Sequence, residues 1–99
     1  MRTPVERLKE KVQKENLWFF VCYLLEKRDR YGYEIRNLVK ERFGFLAGNV
    51  TAYKVLYLLN HDGYVRKSSK GNRVYYSITQ KGRSQLKKAR KFFGEMKRF

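Results

Sequence analysis

Between residues 66 and 73 the chain carries four cations in eight residues, Arg66, Lys67, Lys70 and Arg73, with Asn72 among them and no acid. Held around a tight turn, such a cluster suits a phosphate backbone or a minor groove, where charge counts for more than base identity. The competing reading is a solvated hairpin tip. A second set lies upstream at helical spacing: Thr51, Tyr53, Lys54 and Tyr57. Thr51 offers a hydroxyl and a methyl, Lys54 an ammonium that reaches a phosphate or the acceptors of guanine, and the tyrosines a ring with a hydroxyl at its edge. The two tyrosines could instead do no more than flank a core.

Bond-making chemistry has little to work with. His61 is the single histidine and Cys22 the single cysteine, so no cluster has metal-ligand spacing. No glycine-rich phosphate loop is present either. Neither catalysis, nor a metal, nor a bound cofactor is expected. Cys22 has no partner for a disulfide and lies in the apolar run 17–25, where a free thiol behaves as a small buried hydrophobe. That run is about half of what spans a bilayer, and it lacks the position of a signal peptide. The expectation is a soluble, cytoplasmic protein with no membrane partner.

Charge sharpens the partner class. The 99 residues carry a formal net charge of +15, from 24 Lys and Arg against 9 Asp and Glu. Residues 64–99 hold twelve of the cations and one acid, whereas residues 31–63 hold four and three. Self-repulsion of this kind opposes folding and is explained by a polyanionic partner. A charge-rich protein adapted to heat would raise both signs together, and here the rise is one-sided. With 42% hydrophobic residues and one Pro, the chain is a folding sequence the size of one domain.

The elements that must position these residues follow from periodicity and caps. Thr3-Pro4-Val5-Glu6 opens a helix whose stripe of Val5, Leu8 and Val12 is too thin for a core and suits packing on a neighbour. Asn16 is read as the cap of a second helix, 17–28, apolar nearly all round and therefore central. Trp18 is a core residue or lines a pocket where two copies meet. Lys27, Arg28 and Arg30 suit the helix C-terminus. Tyr31-Gly32-Tyr33 marks a break before a third helix, 32–43, closed by Gly44. Asn49 is read as the cap of a fourth, 50–61, with Ala52, Val55, Leu56 and Leu59 inward. Two strands, 64–69 and 73–78, then flank Lys70-Gly71-Asn72 as a hairpin. Thr79 caps a last helix to about residue 98. There Leu86, Ala89, Phe93 and Met96 repeat at helical spacing with Phe92 beside them, and the opposite flank is basic. Large aromatics at the end of a terminal helix call for burial, either against a second copy together with Val5, Leu8 and Val12, or by folding back on the protomer.

After the N-terminal helix, three helices with a helix-turn-helix among them, a hairpin and a final helix give a mostly α fold with a small β-hairpin, the winged helix-turn-helix. The expected organisation is an N-terminal extension (1–15), a winged domain (16–79) and a C-terminal dimerisation helix (80–99). Three segments in order also resemble the PadR family of winged-helix transcriptional regulators. They are Tyr31-Gly32-Tyr33-Glu34-Ile35, then residues 51–59 followed by Asp62-Gly63-Tyr64-Val65, and then residues 73–82, ending in Thr79-Gln80-Lys81-Gly82. The chain departs from the family's habit at Leu58, commonly basic, and at Lys54, often Pro. The resemblance implies a homodimer on palindromic double-stranded DNA, often a repressor, with the fourth helix in the major groove. A small-molecule effector would have to sit at the dimer interface, because a chain this small has no separate sensor domain. The alternatives are an architectural DNA-binding protein without sequence choice and a winged-helix module for protein or RNA.

Overall fold

The computed structural model describes residues 2–99. Among these the order is α1 (Pro4–Glu15), α2 (Leu17–Lys27), β1 (Arg30–Tyr31), α3 (Gly32–Phe43), α4 (Asn49–His61), β2 (Val65–Lys70), β3 (Arg73–Ile78) and α5 (Gln80–Met96). The fold is therefore mostly helical with a small antiparallel sheet, as the winged helix-turn-helix reading requires.

The core is built around α2. Leu17, Val21, Leu24 and Leu25 meet Ile35 and Val39 of α3, Leu56 and Leu59 of α4, and Val65 and Tyr76 of the strands. A helix with so little polar surface is stable only where other elements cover it on several sides, and α3, α4, α5 and β3 all pack on it. Cys22 is buried there, and burial pushes its thiol up to about 11, which keeps it protonated and inert.

The ends of α1, α3 and α5 obey local rules. Thr3 Oγ1 accepts from Glu6 N at the start of α1, and Thr79 Oγ1 accepts from Gly82 N at the start of α5. Gly44 closes α3 in the left-handed region with φ 74°, its N–H donating to Lys40 O. Two expected caps differ from expectation. Asn16 does stand at the N-cap of α2, but without a side-chain capping bond: its amide donates back to Val12 O, one turn earlier, and so closes α1. Asn49 is the first residue of α4 rather than its cap, a position that falls to Gly48, with no side-chain bond. In both cases the expectation rested on residue type, while the path of the preceding loop decides which backbone amides a short side chain can reach.

The sheet also departs from expectation. It has three strands in the order β1-β3-β2, with Arg30 opposite Tyr76 and Tyr31 opposite Tyr75. The short β1 falls in the stretch read as a simple break, because two residues show no alternation. It is fixed by Arg30, which is buried and donates through Nε to Leu24 O at 2.9 Å, near the C-terminus of α2, while Glu34 lies 3.8 Å away. The hairpin turn is tighter than expected. Lys70 pairs with Arg73, so only Gly71 and Asn72 lie outside the ladder, and Gly71 takes a positive φ of 61°. Glycine at the first central position is what a two-residue turn of the II′ kind demands.

Helix α5 has two regimes. Near its start it presses on the root of the wing, where a Cβ at Gly82 would lie 2.2 Å from Tyr64 O. Leu86 is fully buried within the protomer. Its expected place at an interface between copies is thereby corrected: the close approach allowed by Gly82 delivers Leu86 into the protomer's own interior. Farther on, Phe93 stacks edge-on against Phe19 of α2, with centroids 5.1 Å apart, and is half-buried. Arg90 forms a two-pronged pair with Glu26, both contacts at 2.8 Å. Beyond that the apolar side chains Phe92, Met96 and Phe99 stand in solvent. None of the residues of α1 is buried, and Val5 and Leu8 are exposed while Val12 is half-covered.

Candidate nucleic-acid interface

Helix α4 puts Ala52, Leu56 and Leu59 into the core, so helical geometry turns Val50, Thr51, Tyr53, Lys54, Tyr57 and Leu58 outward. The wing stands beside it. Arg66, Lys67, Lys70, Asn72 and Arg73 are all exposed, and Lys67 is held to α4 by its N–H donating to Asn60 Oδ1 at 3.2 Å. The wing root is further pinned where Thr79 N donates to Tyr64 O at 3.1 Å and Lys81 Nζ donates to Asp62 O at 2.6 Å. Helix and hairpin thus form one ledge with a fixed relative orientation.

Tyr53, Lys67, Asn72 and Arg73 share a shallow hollow of about 680 Å³ with Tyr31, Gly32 and Tyr33. Sequence reasoning assigned the first four to the site but not the last three. Gly32 lets the Tyr53 ring rest against the start of α3, since a Cβ there would lie 3.4 Å from that ring. Tyr31 is held under the guanidinium of Arg73, 4.5 Å above its ring, and Lys70 lies 5.5 Å from the Tyr75 ring. These cation–π contacts orient the wing cations without neutralising them. The signal that could have found Tyr31 and Tyr33 is their place at the N-terminus of the first helix of the helix-turn-helix, which crosses a DNA backbone in such motifs.

The other sequence-selected residues divide. Thr51 lies on the opposite edge of α4 from Tyr53, beside the loop 45–48 and α1. Tyr57 is exposed and stacks on His61, whose Nδ1 is 3.1 Å from Asp62 Oδ1. That ring pair holds His61 at the C-terminal end of α4. Arg36 is spent on structure, donating to Ala47 O and holding the turn between α3 and α4. Leu58, at the family's usual basic position, is exposed and lines a hollow with Trp18 and residues of α1. Trp18 itself is half-buried and lines a smaller pocket of about 220 Å³ with Cys22, Leu59, Tyr64 and Gln85.

The sequence profile described as "Transcriptional regulator PadR-like family" matches residues 21–88, from the middle of α2 into α5. The chain belongs to the PadR-like family. That is a family of transcriptional regulators, not of enzymes. Solved structures agree with the fold of this PadR-like protein. A transcriptional regulator from Clostridium thermocellum superposes with a TM-score of 0.82 at 24% identity, covering 89% of each chain. A PadR family transcription regulator from Clostridium difficile R20291 does so at 0.78 and 27% identity, over 83% of this chain and 91% of that one. Bacillus subtilis PadR, solved in complex with operator DNA, gives 0.64 at 26% identity over 74% of this chain and 45% of its own. A search of curated protein sequences returns no match. Among the described residues no helix is long and apolar enough to cross a membrane, and no group of His, Cys, Asp and Glu is placed to hold a metal ion.

Proposed function

We propose that this PadR-like regulator binds double-stranded DNA as a homodimer and selects its operator by sequence, acting as a repressor. The observation that carries the reading is the shared ledge: the outward face of α4 and the cationic wing lie together around the hollow lined by Tyr53, Lys67, Asn72 and Arg73. In this arrangement α4 enters the major groove, with Thr51, Tyr53, Lys54 and Tyr57 toward base edges and flanking phosphates. Arg66, Lys67, Lys70, Asn72 and Arg73 meet the backbone or the minor groove. The likeness to Bacillus subtilis PadR bound to operator DNA supports the same partner.

Dimerisation uses surfaces the protomer leaves wholly or partly uncovered, Val5, Leu8 and Val12 of α1 with Ala89, Phe92, Phe93 and Met96 of α5. Residues 1–15 and the far part of 80–99 then act as the assembly elements around the winged domain. A small-molecule effector would be taken where the two copies meet.

Binding to a random pool of duplex DNA at about 50 and 200 mM salt, with sequencing of the retained fraction, tests the reading. Enrichment of a palindrome with half-sites about one helical turn apart is the expected result. Salt-sensitive retention without an enriched sequence would replace it with the architectural alternative, which the single lysine on the exposed face of α4 favours. No retention at either salt would overturn DNA as the partner.

A further inference from the structure

The outward face of α4 is unusual for a surface that reads bases. Val50, in the first turn, is 83% exposed, Tyr57 65%, Tyr53 52% and Leu58 45%. Scattered exposed apolar residues are ordinary, but Val50, Tyr53 and Tyr57 share one face at spacings of three and four, with Leu58 on the flank toward α1. The polar groups among them are few. The helix carries no Arg and no Gln, and Lys54 is its only fully charged side chain. Of its two amides, Asn60 accepts from the wing backbone through Oδ1, which leaves Asn49 at the first turn. Guanine read through O6 and N7 is best met by the fork of a guanidinium, which α4 lacks, and Lys54 is its one candidate for that contact.

A major groove presents one apolar feature to such a face, the C5 methyl of thymine. The N-terminal turns of a recognition helix come closest to base edges, and that is where Val50 and the methyl of Thr51 stand. Most of the cations available to hold the duplex lie to the side, on the wing, which leaves Lys54 as the one lysine of the helix face for a flanking phosphate. A protein partner would also accept apolar side chains, yet it would not explain twelve cations against one acid after residue 63.

We infer that this chain chooses its operator through thymine methyl groups packed against Val50, with the Thr51 methyl on one side of it and the exposed rings of Tyr53 and Tyr57 on the other. Base hydrogen bonding plays the smaller part. The inference rests on the DNA-binding reading above and assigns the chemistry by which that site discriminates. It requires A·T pairs at the positions facing the first two turns of α4, with the thymine methyls toward the protein.

The test is a pair of selections on random duplex pools, one containing thymidine and one with 2′-deoxyuridine throughout, which removes the methyl and leaves Watson–Crick pairing unchanged. The expected result is an A·T-containing half-site enriched from the thymidine pool and lost or strongly weakened in the deoxyuridine pool. On the selected duplex, replacing one contacted thymine by uracil should weaken binding about fourfold, the worth of one buried methyl, and replacing its symmetry mate as well should weaken it about fifteenfold. Val50→Ala, at a solvent-facing helical position, should fold normally and narrow the difference between the two duplexes. The same motif enriched equally from both pools, or a half-site of G·C pairs under α4, overturns methyl reading while sequence-specific binding stands. No motif from either pool overturns both.

Discussion

Two regions of this protein expose apolar side chains at helical spacing, and they differ in what surrounds them. On α4 the exposed rings carry hydroxyls, the helix is locked by its buried face, and the neighbouring wing supplies unneutralised cations. At the far end of α5 the exposed groups are Phe92, Met96 and Phe99, which have no polar handle. A groove of mixed polarity suits the first kind of surface and another protein surface suits the second. Exposure of apolar area alone does not separate a nucleic-acid face from an assembly face. The polar atoms interleaved with it do.

The largest effects should come from breaking the anchor that divides α5 into a buried start and a free end. Leu86→Ala should cost about 3 kcal/mol in thermal or denaturant unfolding, because a fully buried leucine leaves a cavity. Gly82→Ala should cost about 2 kcal/mol or more, since its new Cβ meets the Tyr64 carbonyl rather than a movable side chain. Neither loss should vary with protein concentration if these residues act within the protomer. Phe92→Asp sharpens the contrast from the other side. It should yield monomers by sedimentation or light scattering while the winged domain keeps its cooperative unfolding, and a variant that remains dimeric would remove this end of α5 from the interface.

Smaller effects separate the two parts of the DNA-binding ledge. Arg73→Ala should weaken binding to all duplexes alike and lower the salt slope by about 0.9 per lost phosphate contact. Lys54→Ala should instead reduce the preference between selected and random duplexes, by about 1 kcal/mol. Equal losses of preference from both would undo the division of labour between helix and wing. The smallest expected effect is a pH dependence. The two-pronged hydrogen bond from Arg90 holds the Glu26 carboxyl below its ordinary value, against a smaller opposing effect of burial. A lowered folded value means the pair stabilises fully above the ordinary carboxylate range and loses that contribution as pH falls through the lower folded value. Both side chains are substantially exposed, so the amount is about 0.5 kcal/mol after solvent screening, and Arg90→Ala should abolish this part of the acid dependence.

Much of the fold was legible in residue order. Periodicity predicts the third helix at 32–43, where Gly32–Phe43 is helical, and the return strand at 73–78, where Arg73–Ile78 is extended. Helix periodicity, the Gly44 stop and the Thr79 cap are local signals, and local geometry is what they report. The wing cations and the exposed face of α4 were legible for the same reason: charge clusters and 3.6-residue spacing survive in one dimension. Tyr31 and Tyr33 were not, since their part in the hollow depends on β1 pairing with a strand more than forty residues later.

By itself, then, the sequence determined the order of the helices and the hairpin, the apolar stripes of the helices, and the uneven charge that calls for a polyanion. Tertiary structure alone decided which short polar side chains cap and which turn back, as Asn16 does. It also decided that Leu86 belongs to the protomer while Phe92 and Met96 do not, and that α4 and the wing form one ledge. The physical reason is common to all three: periodicity records which side of an element is apolar, whereas the partner covering that side is set by close approaches such as Gly82 against Tyr64 O, which bring together residues distant along the chain.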